Sequence, residues 1–135
     1  MSNRREYRYD HDFGAGTDVY SFKGPKGKKG QLIDYGIDGI YETFTNTTTA
    51  GNVAVGNGSD PDAYGEEIGL GVSAADTVGT LSALTAAADP ATLRSTYIVE
   101  PDLPADTAIY ITCTAPTGGT PAGKATAFAV VDWQD

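Results

Sequence analysis

From Gln31 onward the chain alternates apolar and polar residues in short bursts, punctuated by glycine, proline and asparagine. Ile33, Tyr35 and Ile37 alternate with Asp34 and Gly36, the period of two of a half-buried strand. The run continues through Ile40, Tyr41 and Phe44, and the glycines at 36 and 39 predict a bulge or tight turn inside it. Residues 43–49 are mostly threonine, again β-prone. A turn signal at 50–52 precedes Val53 and Val55, residues 56–62 form a polar loop, and Ile68 and Leu70 mark a short strand.

Residues 76–95 are the only helical candidate. Leu81, Leu84 and Ala88 fall at i, i+3 and i+7, and Asp89-Pro90 reads as an N-cap and a first-turn proline. Strand signals return at 96–99 and at 108–114, the strongest in the chain. A Pro/Gly/Thr loop over 115–123 leads to a last strand at 125–133, and these two strands are expected to close a long hairpin. The predicted class is therefore all-β: an antiparallel β-sandwich, jelly-roll-like, with one or two short helical turns. The sandwich is assigned to residues 31–135, behind an extended arm over 1–30.

Length changes little in this picture: 135 residues make one domain. A single cysteine excludes an intrachain disulfide framework. No apolar run reaches the length of a spanning helix, and Met1 to Arg5 lead into Glu6 and Tyr7 rather than an apolar stretch, so neither a membrane span nor a signal peptide is expected.

Charge changes the picture more. The net charge is −9, yet residues 1–30 hold seven of the nine basic residues: Arg4, Arg5, Arg8, Lys23, Lys26, Lys28 and Lys29. Against four acids this segment is +3, and the remainder is −12. An acidic body disfavours nucleic acid and anionic membranes as partners. The arm also carries Tyr7, Tyr9, Phe13 and Tyr20, and disordered segments are poor in aromatics. An extended arm cannot bury its own rings, so these residues are expected to anchor on another chain, with the cations pairing to acidic faces.

Candidate chemistry is sparse. Gly69-Leu70-Gly71-Val72-Ser73-Ala74, with Asp89 some way on, imitates a dinucleotide fingerprint but lacks βαβ units. The glycine-rich segment 24–30 has no Gly-Lys-Ser/Thr and is no phosphate loop. Asp60, Asp62, Glu66 and Glu67 make a weak calcium candidate, because closely spaced carboxylates on a loop suit a hard cation. His11 lies far from any nucleophile elbow, and Cys113 sits mid-strand as a small hydrophobe. Asn46-Thr47-Thr48 and Asn57-Gly58-Ser59 are glycosylation sequons. No catalytic residues and no cofactor are expected.

The segment 103–112, then 116–125 and the terminal strand, resembles the closing hairpin of small decoration (cement) proteins of tailed bacteriophages. Leu103-Pro104-Ala105-Asp106-Thr107 precedes an aliphatic strand, then Pro116-Thr117-Gly118-Gly119-Thr120-Pro121 leads to the last strand. The resemblance implies a non-enzymatic virion protein on the capsid surface. It would bind the major capsid protein, assemble as a homotrimer and stabilise contacts between capsid subunits. The alternative is a carbohydrate- or receptor-binding module of a head fibre or tail, with Tyr64 and Trp133 as candidate platforms.

Overall fold

The computed structural model describes residues 3–45, 49–70, 79–81 and 98–134. Among them there is no helix; nine strands form two sheets. In chain order these are β1 (Asn3–Asp12), β2 (Asp18–Phe22), β3 (Gly30–Thr45), β4 (Gly51–Gly56), β5 (Gly65–Leu70), β6 (Gly79–Leu81), β7 (Asp102–Leu103), β8 (Ile109–Thr114) and β9 (Ala122–Trp133). One sheet runs β1-β9-β3-β7 and the other β2-β8-β4-β5-β6. All pairings are antiparallel except β5 with β6. The class expected from the alternating pattern is thus observed: an all-β, two-sheet fold.

The core lies between the sheets and includes Phe13, Tyr35, Ile37, Val53, Val55, Ile68, Ile109, Ile111, Cys113, Val131 and Trp133. Register explains how it fills. Central strand β9 sends Ala125, Ala127 and Ala129 inward, between His11, Tyr9 and Tyr7 of β1 on one side and Ile37 and Tyr35 of β3 on the other. Small residues flanked by large ones let side chains interdigitate without voids.

Three expectations are corrected. First, residues 3–22 are not an extended arm. β1 pairs with β9 along its whole length and β2 pairs with β8, so the N-terminal segment supplies one strand to each sheet. The division into an arm over 1–30 and a body over 31–135 does not hold. Its rings find partners within the chain, because β1 alternates Tyr7, Tyr9 and His11 inward with Glu6, Arg8 and Asp10 outward.

Second, β8 and β9 do not form a hairpin: they lie in opposite sheets. The intervening segment, with Gly118 and Gly119 at positive φ, crosses from one sheet to the other. Such a length has no need to fold back as a tight turn, and packed sheets lie only about 10 Å apart.

Third, Gly79–Leu81, inside the helical candidate, pairs as a strand with β5. The rest of that candidate, the Asp89 to Arg94 turn included, lies outside the described residues, as do Thr96 and Tyr97. Ile98 of the same predicted strand makes an isolated bridge to Gly65. No helix among the described residues is long and apolar enough to cross a membrane.

Candidate functional site

The aromatic residues expected to anchor a partner are engaged in the fold. Tyr7 stacks on Phe22 with ring centroids 3.9 Å apart, and Tyr9 stacks on Tyr20 at 5.0 Å. These pairs join the two edge strands β1 and β2 across the side of the sandwich. Phe13 is fully buried, against His11 and Phe44. Burial raises the pKa of both Tyr9 and Tyr20. None of the four rings is left to serve as the main anchor of another chain.

The cations have a different fate. Arg4 and Arg5 open β1, opposite Asp132 and Val131 near the end of β9. Lys23, Lys26, Lys28 and Lys29 lie on the loop between β2 and β3, and β3 starts opposite Trp133. Topology therefore gathers six cations at one end of the sandwich. The loop is held there. Lys28 N donates to Pro25 O (3.1 Å), Gly27 N to Asp106 Oδ1 (2.8 Å), and Gln134 N to Lys29 O (2.8 Å). Gly24 and Gly30 lie against the Trp133 indole, so closely that a Cβ at either would fall within about 2.6 Å of the ring. Lys23, Lys26 and Lys29 are exposed. Arg8 is not part of this end. It sits mid-strand, bonded to Glu6 and, at 3.1 Å, to Asp38, and the Glu6 hydrogen bond leads in raising its pKa.

Other candidates are resolved more simply. Tyr64 and Trp133 are buried, at 8% and 1% exposure, so neither is a sugar platform. Trp133 Nε1 donates to Tyr7 Oη at 2.8 Å. His11 Nε2 donates to Gly16 O (2.9 Å) and its Nδ1 meets Tyr20 Oη (2.8 Å), which uses both ring nitrogens. The Cys113 thiol is fully buried, and burial, with Asp18 second, pushes its pKa up to about 12.

The acidic loop is a set of turns. Asn57 Oδ1 accepts from the backbone N–H groups of Ser59 and Asp60, and Asp60 Oδ1 accepts from Asp62 N. The Asp62 carboxyl is pushed up to about 6, chiefly by its hydrogen bond with Asp60 and then by burial and neighbouring Glu66. Asp60, Asp62, Glu66 and Glu67 are not brought together as ligands: among the described residues, no three His, Cys, Asp or Glu side chains converge to hold a metal. Asn46, and residues 71–74 of the glycine motif, lie outside the described residues; Gly69 and Leu70 belong to β5.

The alternating pattern of β3 assigns Tyr41 no functional role. On β3, Asp38 and Glu42 are four residues apart, yet they face Thr126 and Lys124, which are two apart. The two extra residues make a bulge around Gly39, whose φ is +55°. Bulges re-aim side chains. Here Tyr41 is 57% exposed, its hydroxyl 2.7 Å from Thr126 Oγ1 and 3.1 Å from Asp10 Oδ1. Thr126 Oγ1 also donates to Asp10 Oδ1 at 2.7 Å. The glycine at 39 was the available signal, but what it re-aims depends on the register against β9.

Comparison with family models, curated proteins and solved structures returned no match.

Proposed function

We propose that this chain is a structural virion protein of the decoration (cement) type, a jelly roll that binds the outer capsid shell through its cationic end. The observation carrying the proposal is the gathering of Arg4, Arg5, Lys23, Lys26, Lys28 and Lys29 at one end of an otherwise acidic chain. Such polarity orients the molecule on an acidic surface and speeds encounter with it. The strand order supports the architecture. The first strand lies beside the last, the second beside the eighth, and successive strands repeatedly change sheet, as in a double Greek key.

In this reading the chain works by added contact area rather than by catalysis, and it takes no cofactor. Its partner is the major capsid protein, its location the capsid surface, and its own assembly a homotrimer. Nucleic acid and membrane are not partners, because the acidic body repels both. A stable contact of this kind buries about 1,200–2,000 Å², more than the basic loop alone supplies, so neighbouring sheet faces take part.

The test is co-sedimentation of the full chain with undecorated shells of the phage whose genome carries it. The chain is expected to pellet with shells at low salt and to be released at high salt. A Lys23→Glu, Lys26→Glu, Lys29→Glu variant, altered only at exposed loop positions, is expected to stay in the supernatant. A native chain that never pellets, or a triple variant that pellets equally, overturns the proposal.

A further inference from the structure

Beside Tyr41 the outer face of the β1-β9-β3-β7 sheet carries a cavity of about 470 Å³, lined by Asp10, His11, Asp12, Tyr41 and Lys124. That volume lies within the range of small-ligand sites, which is roughly 300–1,000 Å³. It lies near the ends of β1 and β3 and the start of β9, so it is remote from the cationic end, where Asn3 and Gly30 face Trp133.

The groups lining it are fixed before any ligand arrives. Tyr41 is held at its hydroxyl by Thr126 and Asp10, so its ring is exposed yet oriented. Asp10 uses Oδ1 for both hydroxyls, and Asp12 uses Oδ1 for Gly14 N at 3.0 Å. Among the described residues no hydrogen bond occupies Oδ2 of either carboxylate. Lys124 Nζ stands 3.9 Å from Glu42 Oε2, and Glu42 Oε1 is held by Gly123 N at 3.1 Å. His11 borders the cavity but turns its ring inward against Phe13 and Tyr20, with both nitrogens occupied, so it presents no group to a ligand. A ligand therefore meets one aromatic face, two carboxylate acceptors and one ammonium donor.

That set selects by elimination. An anion is repelled by Asp10, Asp12 and Glu42, and an organic cation, though drawn to those carboxylates, leaves the Lys124 ammonium with no acceptor beyond Glu42. A metal ion finds no three converging ligands among the described residues, and Asp10 Oδ1 already accepts two hydroxyls. A neutral polyol ring satisfies every group. Its C–H face covers the exposed tyrosine, its hydroxyls donate to the two carboxylates, and one hydroxyl accepts from Lys124. We propose that this cavity, built by the Gly39 bulge and centred on Tyr41, is a binding site for a neutral pyranose. The inference stands apart from the capsid proposal, since it uses a different end of the molecule and different residues.

The test is a titration of the full-length, isotope-labelled chain with the methyl glycosides of glucose, galactose, mannose and N-acetylglucosamine, followed by amide chemical shifts. At least one glycoside is expected to bind with a Kd on the order of millimolar, as suits one open site with few contacts. The shifts are expected to be confined to residues 10–12, 39–42 and 123–126. Tyr41→Ala, at an exposed position, is expected to weaken binding at least tenfold while the remaining spectrum stays unchanged. Tyr41→Phe keeps the ring face and is expected to stay within about threefold, and Asp10→Asn, which removes a charged acceptor, is expected to weaken binding about tenfold. The proposal is overturned by no response to any of the four up to about 50 mM. It is equally overturned by shifts elsewhere on the chain, by affinity that Tyr41→Ala leaves intact, or by binding only of the anionic methyl glycoside of N-acetylneuraminic acid.

Discussion

Phe13→Ala separates a folded N-terminus from a free arm. On an arm waiting for a partner, truncating this ring would leave the isolated chain's stability unchanged. In the structure Phe13 is fully buried, edge-on to His11 at 4.6 Å and tilted against Phe44 at 5.1 Å. Its backbone N donates to Gly123 O at 2.7 Å, so the chain cannot swing away to refill the hole. Truncating a buried phenylalanine costs about 3–5 kcal/mol. The two ring contacts place this site in the upper half of that range, near 4–5 kcal/mol, since each aromatic pair adds roughly 0.5–1.5 kcal/mol beyond area. For a chain of this length about 1 kcal/mol moves Tm by roughly 3–4 °C, so a fall of about 12–20 °C is expected.

The assay is urea unfolding followed at once by circular dichroism and by the fluorescence of Trp133, the single tryptophan. Trp133 lies opposite Asn3, at the far end of β1 and about 30 Å from Phe13. It therefore reports global unfolding rather than a local change. Coincident transitions with an unchanged slope and a lower midpoint are expected. A loss under about 1 kcal/mol would refute the placement of residues 3–22 in the sandwich.

Gly30→Ala is expected to cost about 1–3 kcal/mol, because the new Cβ would stand 2.6 Å from the Trp133 ring and 2.9 Å from Val131 Cγ1. Gly58→Ala, whose Cβ would come no nearer than 3.7 Å to Tyr110, is expected to stay within about 0.5 kcal/mol in the same urea assay. Asp62 has its pKa raised in the folded chain to about 6, so the stability it contributes is complete below about pH 4 and is lost as pH rises through 6. Asp62→Asn is accordingly expected to exceed the native chain by about 0.5 kcal/mol at pH 7.5 and to match it at pH 4, read from urea midpoints at both values. Cys113, buried and with its thiol pushed up to about 12, is expected to resist Ellman's reagent in the native chain and to react at the unfolding rate. Rapid native labelling would contradict its burial.

What the sequence determined by itself was local. Period-two alternation and turn residues located β3, β4, β5, β8 and most of β9, because strand backbone and side-chain direction are set residue by residue. The same alternation ran through Tyr7, Tyr9, His11 and Phe13, but a strand pattern does not say what covers it. That was decided by β9, more than a hundred residues away, which pairs with β1 and turns apparent partner anchors into core. Adjacency in sequence also misled at β8 and β9, which flank one loop yet belong to different sheets. The candidate sites divide in the same way. The cations were legible as a composition, whereas their convergence at one end depends on where β1 and β3 begin along β9. Tyr41 was legible only as a strand residue. Its exposure over Asp10 and Thr126 exists because β3 carries two more residues than the β9 segment it faces, a mismatch defined by the pairing of two strands and carried by neither alone.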